Sequence, residues 1–204
     1  MRVMLYDPTC VRSLGRPGLS KYWRAGSVLY GSVLRRFDAW RAVRSWDEGL
    51  RWIANLRPSE PIDEVQYWGH GKWGCALIDR DLFDERALVS SHPLNPSLRA
   101  IAARMRGRDA LFWFRTCETL GADVGHRFAR DLADTMGCRV AGHTFVIGAL
   151  QSGLHSLSPG ASPHWDAAEG LAEGTPSDPR RAHASSWRAP NTIHCLQGAI
   201  PPRW

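Results

Sequence analysis

A chain of 204 residues, 44% hydrophobic and 23% charged, is long enough for one well-packed core and ordinary in composition for a folded domain. The formal net charge of +6 raises nucleic-acid binding as a class. The arginines are scattered, however, with Arg35-Arg36, Arg104-Arg106-Arg108 and Arg180-Arg181 the densest groups, so solvated helix ends and loops are the simpler reading. Five cysteines without paired spacing argue against a disulfide framework, and neither a signal peptide nor an apolar run of membrane-spanning length is present, so a soluble cytoplasmic protein with no membrane partner is expected.

In chain order, residues 3–6 form a short apolar run ended by Asp7-Pro8, the pattern of a buried first strand. After a Gly/Pro-rich stretch, Ser20 is a candidate cap for a helix carrying Trp23, Val28, Leu29 and Val33, with Gly26 and Gly31 as interruptions. Residues 39–43 read as a second strand. Ser45-Trp46-Asp47-Glu48 is a capping box, opening a helix whose Leu50, Ile53, Ala54 and Leu56 share a face before Pro58.

Residues 62–68 form the third strand, ending at Gly69-His70-Gly71, and residues 72–83 suggest a small hairpin around Gly74. Asn95-Pro96 starts a helix with Leu98, Ile101, Ala102 and Met105 inward and Gly107 as its stop. The fourth strand spans 111–114. Val124, Phe128, Leu132 and Met136 mark an amphipathic helix from Asp123 to Gly137, and residues 139–147 follow as a fifth strand.

Strands alternating with helices imply right-handed crossovers and an α/β fold: a mainly parallel central sheet of five or six strands flanked by helices. One domain over 1–148 is expected. Beyond Gly148, breakers such as Ser158-Pro159-Gly160 and Pro201-Pro202 end long periodicity, yet Trp165, Trp187, Trp204 and Ile193 are too many large apolar groups for a disordered tail. Residues 149–204 therefore read as an irregular C-terminal extension packed on the same domain.

Ligands of open parallel sheets bind beyond the carboxyl ends of the strands, where His70 and Cys117 both fall. A thiol beside an imidazole or a helix N-terminus becomes a nucleophile through its thiolate. The glycines flanking His70 let backbone pass close to a substrate, and their N–H groups could serve a developing oxyanion. Compact metal-ligand spacing is missing among His143, His155, His164, His183, His194 and Cys195, and there is no GxxxxGK[ST] or GxSxG motif, so no metal and no cofactor is assigned. His143 reads as a core or site-edge histidine, and His155 and His164 as loop histidines around a Gly/Pro turn. Trp68 and Trp113 read as core or pocket walls.

Gly69-His70-Gly71 and Thr116-Cys117-Glu118-Thr119, their histidine and cysteine 47 residues apart, resemble the His-Gly and Ala-Cys-Glu-Thr/Ser signatures of caspase-like (clan CD) cysteine peptidases, closest to CHAT domains and legumains. The resemblance covers about residues 60–148. It implies a caspase-like fold, a Cys117/His70 catalytic dyad, the N–H groups of Gly71 and Cys117 as oxyanion hole, and Arg115, Glu118 and Asp7 as positions lining the substrate pocket. Arg115 would suit an acidic substrate group, Asp7 or Glu118 a basic one. Arg115-Thr116 and Leu120 depart from the family's small or neutral residues and its glycine. The implied activity is cleavage of a protein or peptide substrate, within a bacterial regulatory or conflict system. The alternatives are a non-catalytic interaction module on the same scaffold and, well behind, a basic nucleic-acid-binding protein.

Overall fold

The computed structural model describes residues 1–13, 16–105, 109–201 and 204; Arg106, Gly107, Arg108 and Pro202 lie outside them. Six strands form the central sheet: β1 (Arg2–Tyr6), β2 (Ala39–Ala42), β3 (Glu64–Trp68), β4 (Leu111–Arg115), β5 (Arg139–His143) and β6 (Leu154–Leu157). Their order across the sheet is β2-β1-β3-β4-β5-β6. The first five run parallel and β6 runs antiparallel to β5, with Val140 opposite Leu157. The protein is thus α/β, and the sequence beyond Gly148 supplies the sixth strand.

Helices α1 (Ser20–Val28), α2 (Trp46–Asn55), α3 (Asn95–Ala102) and α4 (Ala122–Met136) connect the parallel strands. The chain steps from β1 to β2 in one direction and from β3 through β5 in the other. Right-handed crossovers then require α1 on the opposite face from α2, α3 and α4. The core follows this division. Val3, Leu5, Val65, Tyr67, Phe112, Phe114 and Val140 pack with α2, α3 and α4, whereas Met4 and Trp68, and separately Trp113, Ala141 and Leu154, face α1 and the C-terminal segment. Phe83, Phe112, Phe114 and Phe128 are fully buried together, with Phe112 and Phe114 centroids 5.0 Å apart. Burial of each such ring contributes about 1.5–3 kcal/mol.

Ser45 caps α2 as the sequence indicates, accepting from the Glu48 N–H at 3.1 Å. Ser20 does not cap α1. Leu19 occupies that position and the Ser20 hydroxyl donates to the Cys10 carbonyl at 2.7 Å. The helix also does not break at its glycines but continues as a π-helical turn, Leu29–Val33. Gly26 and Gly31 are demanded by close approach: a Cβ at Gly26 would lie 2.5 Å from the Trp68 ring, and one at Gly31 would collide with Trp40. The fifth strand stops at His143, four residues short of expectation, because 144–147 turn off the sheet to bond the chain around Cys117: Glu118 N–H donates to the Phe145 carbonyl at 3.1 Å.

Candidate active site

The order β2-β1-β3 creates a switch point between β1 and β3, the place where open α/β sheets leave a crevice at their carboxyl ends. Asp7 leaves β1 there, its N–H donating to the Trp68 carbonyl at 3.0 Å. His70 leaves β3, and Cys117 leaves β4 on its other side, with Trp68 paired to Arg115 in the last register step. One sheet edge therefore gathers all three chain exits.

His70 opens a three-stranded meander, His70–Lys72, Cys75–Ile78 and Asp81–Phe83, where the sequence suggests a simple hairpin. Two anchors hold it. Asp81 accepts from the Trp46 N–H at 2.6 Å at the positive end of α2, and the Trp46 indole donates to the Ala76 carbonyl at 3.2 Å. The Tyr67 hydroxyl donates to the Leu77 carbonyl. The His70 ring meets Trp23 of α1 edge to face, centroids 5.2 Å apart.

The backbone of Gly71 lies directly against the turn that carries Cys117. A Cβ there would be 2.7 Å from both the Cys117 carbonyl oxygen and the Thr116 Cβ. That turn is braced internally: Thr116 and Thr119 hydroxyls are 2.6 Å apart, and the Thr119 hydroxyl also reaches the carbonyls of Cys75 and Cys117 at 3.2 Å. Glu118 adopts φ of 56°, a left-handed conformation that costs a non-glycine residue about 1–2 kcal/mol and is held here by surrounding bonds. Among the described residues no group bonds the Cys117 N–H, and Gly71 stands opposite Ala76 in the meander's first strand pair.

The thiol is part-buried. Its sulfur accepts from the Ile147 N–H at 3.4 Å and lies 3.9 Å from the Ile147 carbonyl. Burial pushes its pKa up, the Ile147 amide opposes that, and the Glu118 carboxylate raises it further against the pull of Lys72. Lys72 Nζ sits 3.3 Å from Glu118 Oε2 and 3.8 Å from the centroid of the Trp73 ring. No hydrogen bond joins sulfur and imidazole among the described residues. The helix N-terminus that could have favoured a thiolate is also occupied: the N–H groups of Ala122 and Asp123 donate to the carbonyls of Ala167 and Pro176 from the C-terminal region. Burial thus favours the neutral thiol in the resting site.

The three pocket candidates have separate surroundings. Asp7 is fully buried; its Oδ1 accepts from the Thr9 N–H and hydroxyl at 2.7 and 2.6 Å, and its Oδ2 has no partner among the described residues. Glu118 is buried and paired with Lys72. Arg115, 2% exposed, lies between the Trp68 and Trp113 rings and donates to the Gln151 side chain and to the carbonyls of Cys195 and Gln197. Its Nε and Nη2 are spent on the C-terminal segment, while Nη1 has no partner among the described residues.

Sequence reasoning assigned no role to Ile147, Lys72, Thr116 or Thr119. A backbone amide leaves no residue-type signal, and the pairing of Lys72 with Glu118 depends on the meander. His155 is also not a loop histidine. It is buried in β6, 2.7 Å from Glu169 Oε1 and stacked on Trp165. Among the described residues no group of three or more His, Cys, Asp or Glu side chains is arranged for a metal ion. An open cleft of about 240 Å³ adjoins the thiol's partner, lined by Val146, Ile147, Leu150, Ala184 and Ser185. A larger hollow of about 600 Å³ runs along α2 past Arg41, Glu48 and Trp52 and includes neither His70 nor Cys117.

Fold and site together define an α/β protein that presents a histidine and a cysteine at the carboxyl ends of adjoining parallel strands. Comparison of the chain with protein-family models, curated proteins and solved structures returns no match.

Proposed function

We propose that the chain is a cysteine peptidase of the caspase-like type, with Cys117 as nucleophile and His70 as its general base and acid. The observation that carries this reading is the contact of the Gly71 backbone with the Cys117 turn, which sets His70 and Cys117 on neighbouring exits from β3 and β4. In the reaction the sulfur adds to the scissile carbonyl as its proton passes to the imidazole. The resulting oxyanion meets the Cys117 N–H, and His70 returns the proton to the departing amine. Water then hydrolyses the acyl-thioester and regenerates the thiol. The Ile147 amide has to release the sulfur for this to proceed, so a substrate entering the strand ends displaces a contact of the resting state.

A specific observation favours a second reading, a non-catalytic module binding a peptide or partner protein across the same edge: the thiol is bonded to Ile147, not to the imidazole, and its pKa is raised. Labelling with a peptidyl thiol-directed electrophile separates the two. The peptidase reading expects modification at Cys117 that falls sharply in His70→Ala. Equal labelling of wild type and His70→Ala would overturn the dyad and leave the binding module.

A further inference from the structure

Residues 8–37 contain six of the chain's 26 basic residues and none of its 20 acidic ones, so the whole formal excess of +6 resides in this stretch and the rest of the chain is neutral. Apart from the pair Arg35-Arg36, its cations stand singly along the stretch, so the excess is not concentrated in one dense block. The same stretch holds six of the ten large apolar side chains that stand exposed among the described residues: Val11, Leu19, Tyr22, Val28, Val33 and Leu34. Tyr22 is 65% exposed and Val33 67%.

Helix α1 and its π-helical turn thus have two occupied sides. Inward, Trp23 meets His70 and Gly26 meets the Trp68 ring. Outward, Lys21, Arg24 and Arg35 stand exposed among Tyr22, Val28 and Leu34. A nucleic acid would match the cations but leave the valines and leucine in water. An anionic bilayer surface matches both, with cations at the headgroups and apolar side chains at the acyl boundary.

We propose that the outer side of α1 and the turn Leu29–Val33 docks in the interface plane of a lipid surface rich in anionic headgroups. No helix among the described residues is long and apolar enough to cross a membrane. Surface docking needs no span, so the expectation of no membrane partner, which rested on span length, does not bear on it. The inference is independent of the peptidase reading. If both hold, docking places His70 one helix away from the lipid.

The test is co-sedimentation of the full chain with vesicles of phosphatidylcholine alone and of phosphatidylcholine mixed with phosphatidylglycerol. Binding is expected only to the mixed vesicles, and it should weaken as salt rises. Each cation near such a surface is worth about fivefold in partition, about 1 kcal/mol, so Lys21→Gln with Arg24→Gln should lower it about 25-fold. Tyr22→Ser with Val28→Ser should lower it at unchanged charge. All four side chains are exposed, so unchanged urea midpoints would confirm that the variants fold. No partition to mixed vesicles, or equal partition to neutral ones, would overturn the proposal. So would oligonucleotide binding at matched salt that persists in the Tyr22/Val28 variant without vesicle binding, which would assign this side to nucleic acid.

Discussion

Gly71 leaves no room for a side chain against Cys117: a Cβ at 71 would sit 2.7 Å from the Cys117 carbonyl oxygen and would also collide with the Thr119 hydroxyl. The first obstacle is backbone, and the second is fixed by its bonds to Thr116, Cys75 and Cys117, so neither yields cheaply. Gly71→Ala should cost about 1–3 kcal/mol in urea unfolding and push the meander away from the Cys117 turn. Labelling of Cys117 by a peptidyl electrophile should fall with it. By contrast, Gly137→Ala, where φ is 62° with open space around the Cβ, should cost only about 1 kcal/mol of backbone strain and leave labelling intact. Equal effects on labelling would show that the Gly71 contact does not set the site.

The Cys117 thiol should alkylate slowly at neutral pH, because burial and then Glu118 hold its pKa above the ordinary thiol value. Glu118→Gln removes the like charge and leaves Lys72 without its carboxylate partner beside the sulfur. The iodoacetamide rate at Cys117 should rise about fivefold near neutral pH, corresponding to about 1 kcal/mol of relieved repulsion. Peptide mapping by mass spectrometry separates this cysteine from the other four. A rate that is unchanged or lower would show that the carboxylate does not control the thiol.

What could be read from the sequence was set by local signals. The apolar runs ending at Trp68 and Phe114, the Ser45 capping box, the Asn95-Pro96 start and the Gly137 stop all encode their own geometry within a few residues, and the structure has a strand or helix boundary at each or, for Phe114, one residue beyond. The positions of His70 and Cys117 at adjoining exits followed from the same runs. What stayed hidden depends on long-range partners. Gly26 reads as a helix interruption until Trp68, 42 positions later, occupies its empty side. His155 reads as a loop residue until β6 pairs with β5 and Glu169 returns to meet it. The resemblance casts Arg115 as a pocket residue, and nothing near it in sequence reveals that Gln197 will accept its hydrogen bond.

Arg115 ties the C-terminal segment to β4 through the Gln151 side chain at 2.9 Å, the Cys195 carbonyl at 3.1 Å and the Gln197 carbonyl at 2.9 Å, with its guanidinium 4.9 and 4.5 Å from the Trp68 and Trp113 centroids. Burial lowers its pKa to about 10, which still leaves it charged at neutral pH. Arg115→Lys keeps the charge but replaces a planar fork by a point donor that cannot stack between two rings and reach three oxygens. Stability should fall by about 2–4 kcal/mol, and limited proteolysis should cut within 190–200 before the sheet unfolds. A variant as resistant as wild type would show that the segment is held by Ile193 and its apolar neighbours alone.

His143 gives the protein an acid sensitivity whose sign can be worked out. The ring is fully buried, its Nδ1 donates to the Ser152 carbonyl at 3.1 Å, and its Nε2 has no partner among the described residues. Burial, and then the positive charge of Arg115, lower its pKa to about 3 from an ordinary value of 6.5. Between those two values the unfolded chain binds a proton that the native chain refuses, so acidification favours unfolding. This site should therefore cost the fold up to about 1.4 kcal/mol per pH unit as pH falls from about 6.5 toward about 3. Glu169 adds to the loss further down: burial would raise its carboxyl pKa, but the bonds from His155 and Thr144 outweigh that and hold it below the ordinary glutamate value, so its contribution disappears as pH falls through that lowered value. Urea midpoints measured across this range should drop steeply in wild type and less steeply above pH 4.5 in His143→Gln, which carries no proton to take up. Parallel slopes in the two proteins would show that His143 is not the group that titrates.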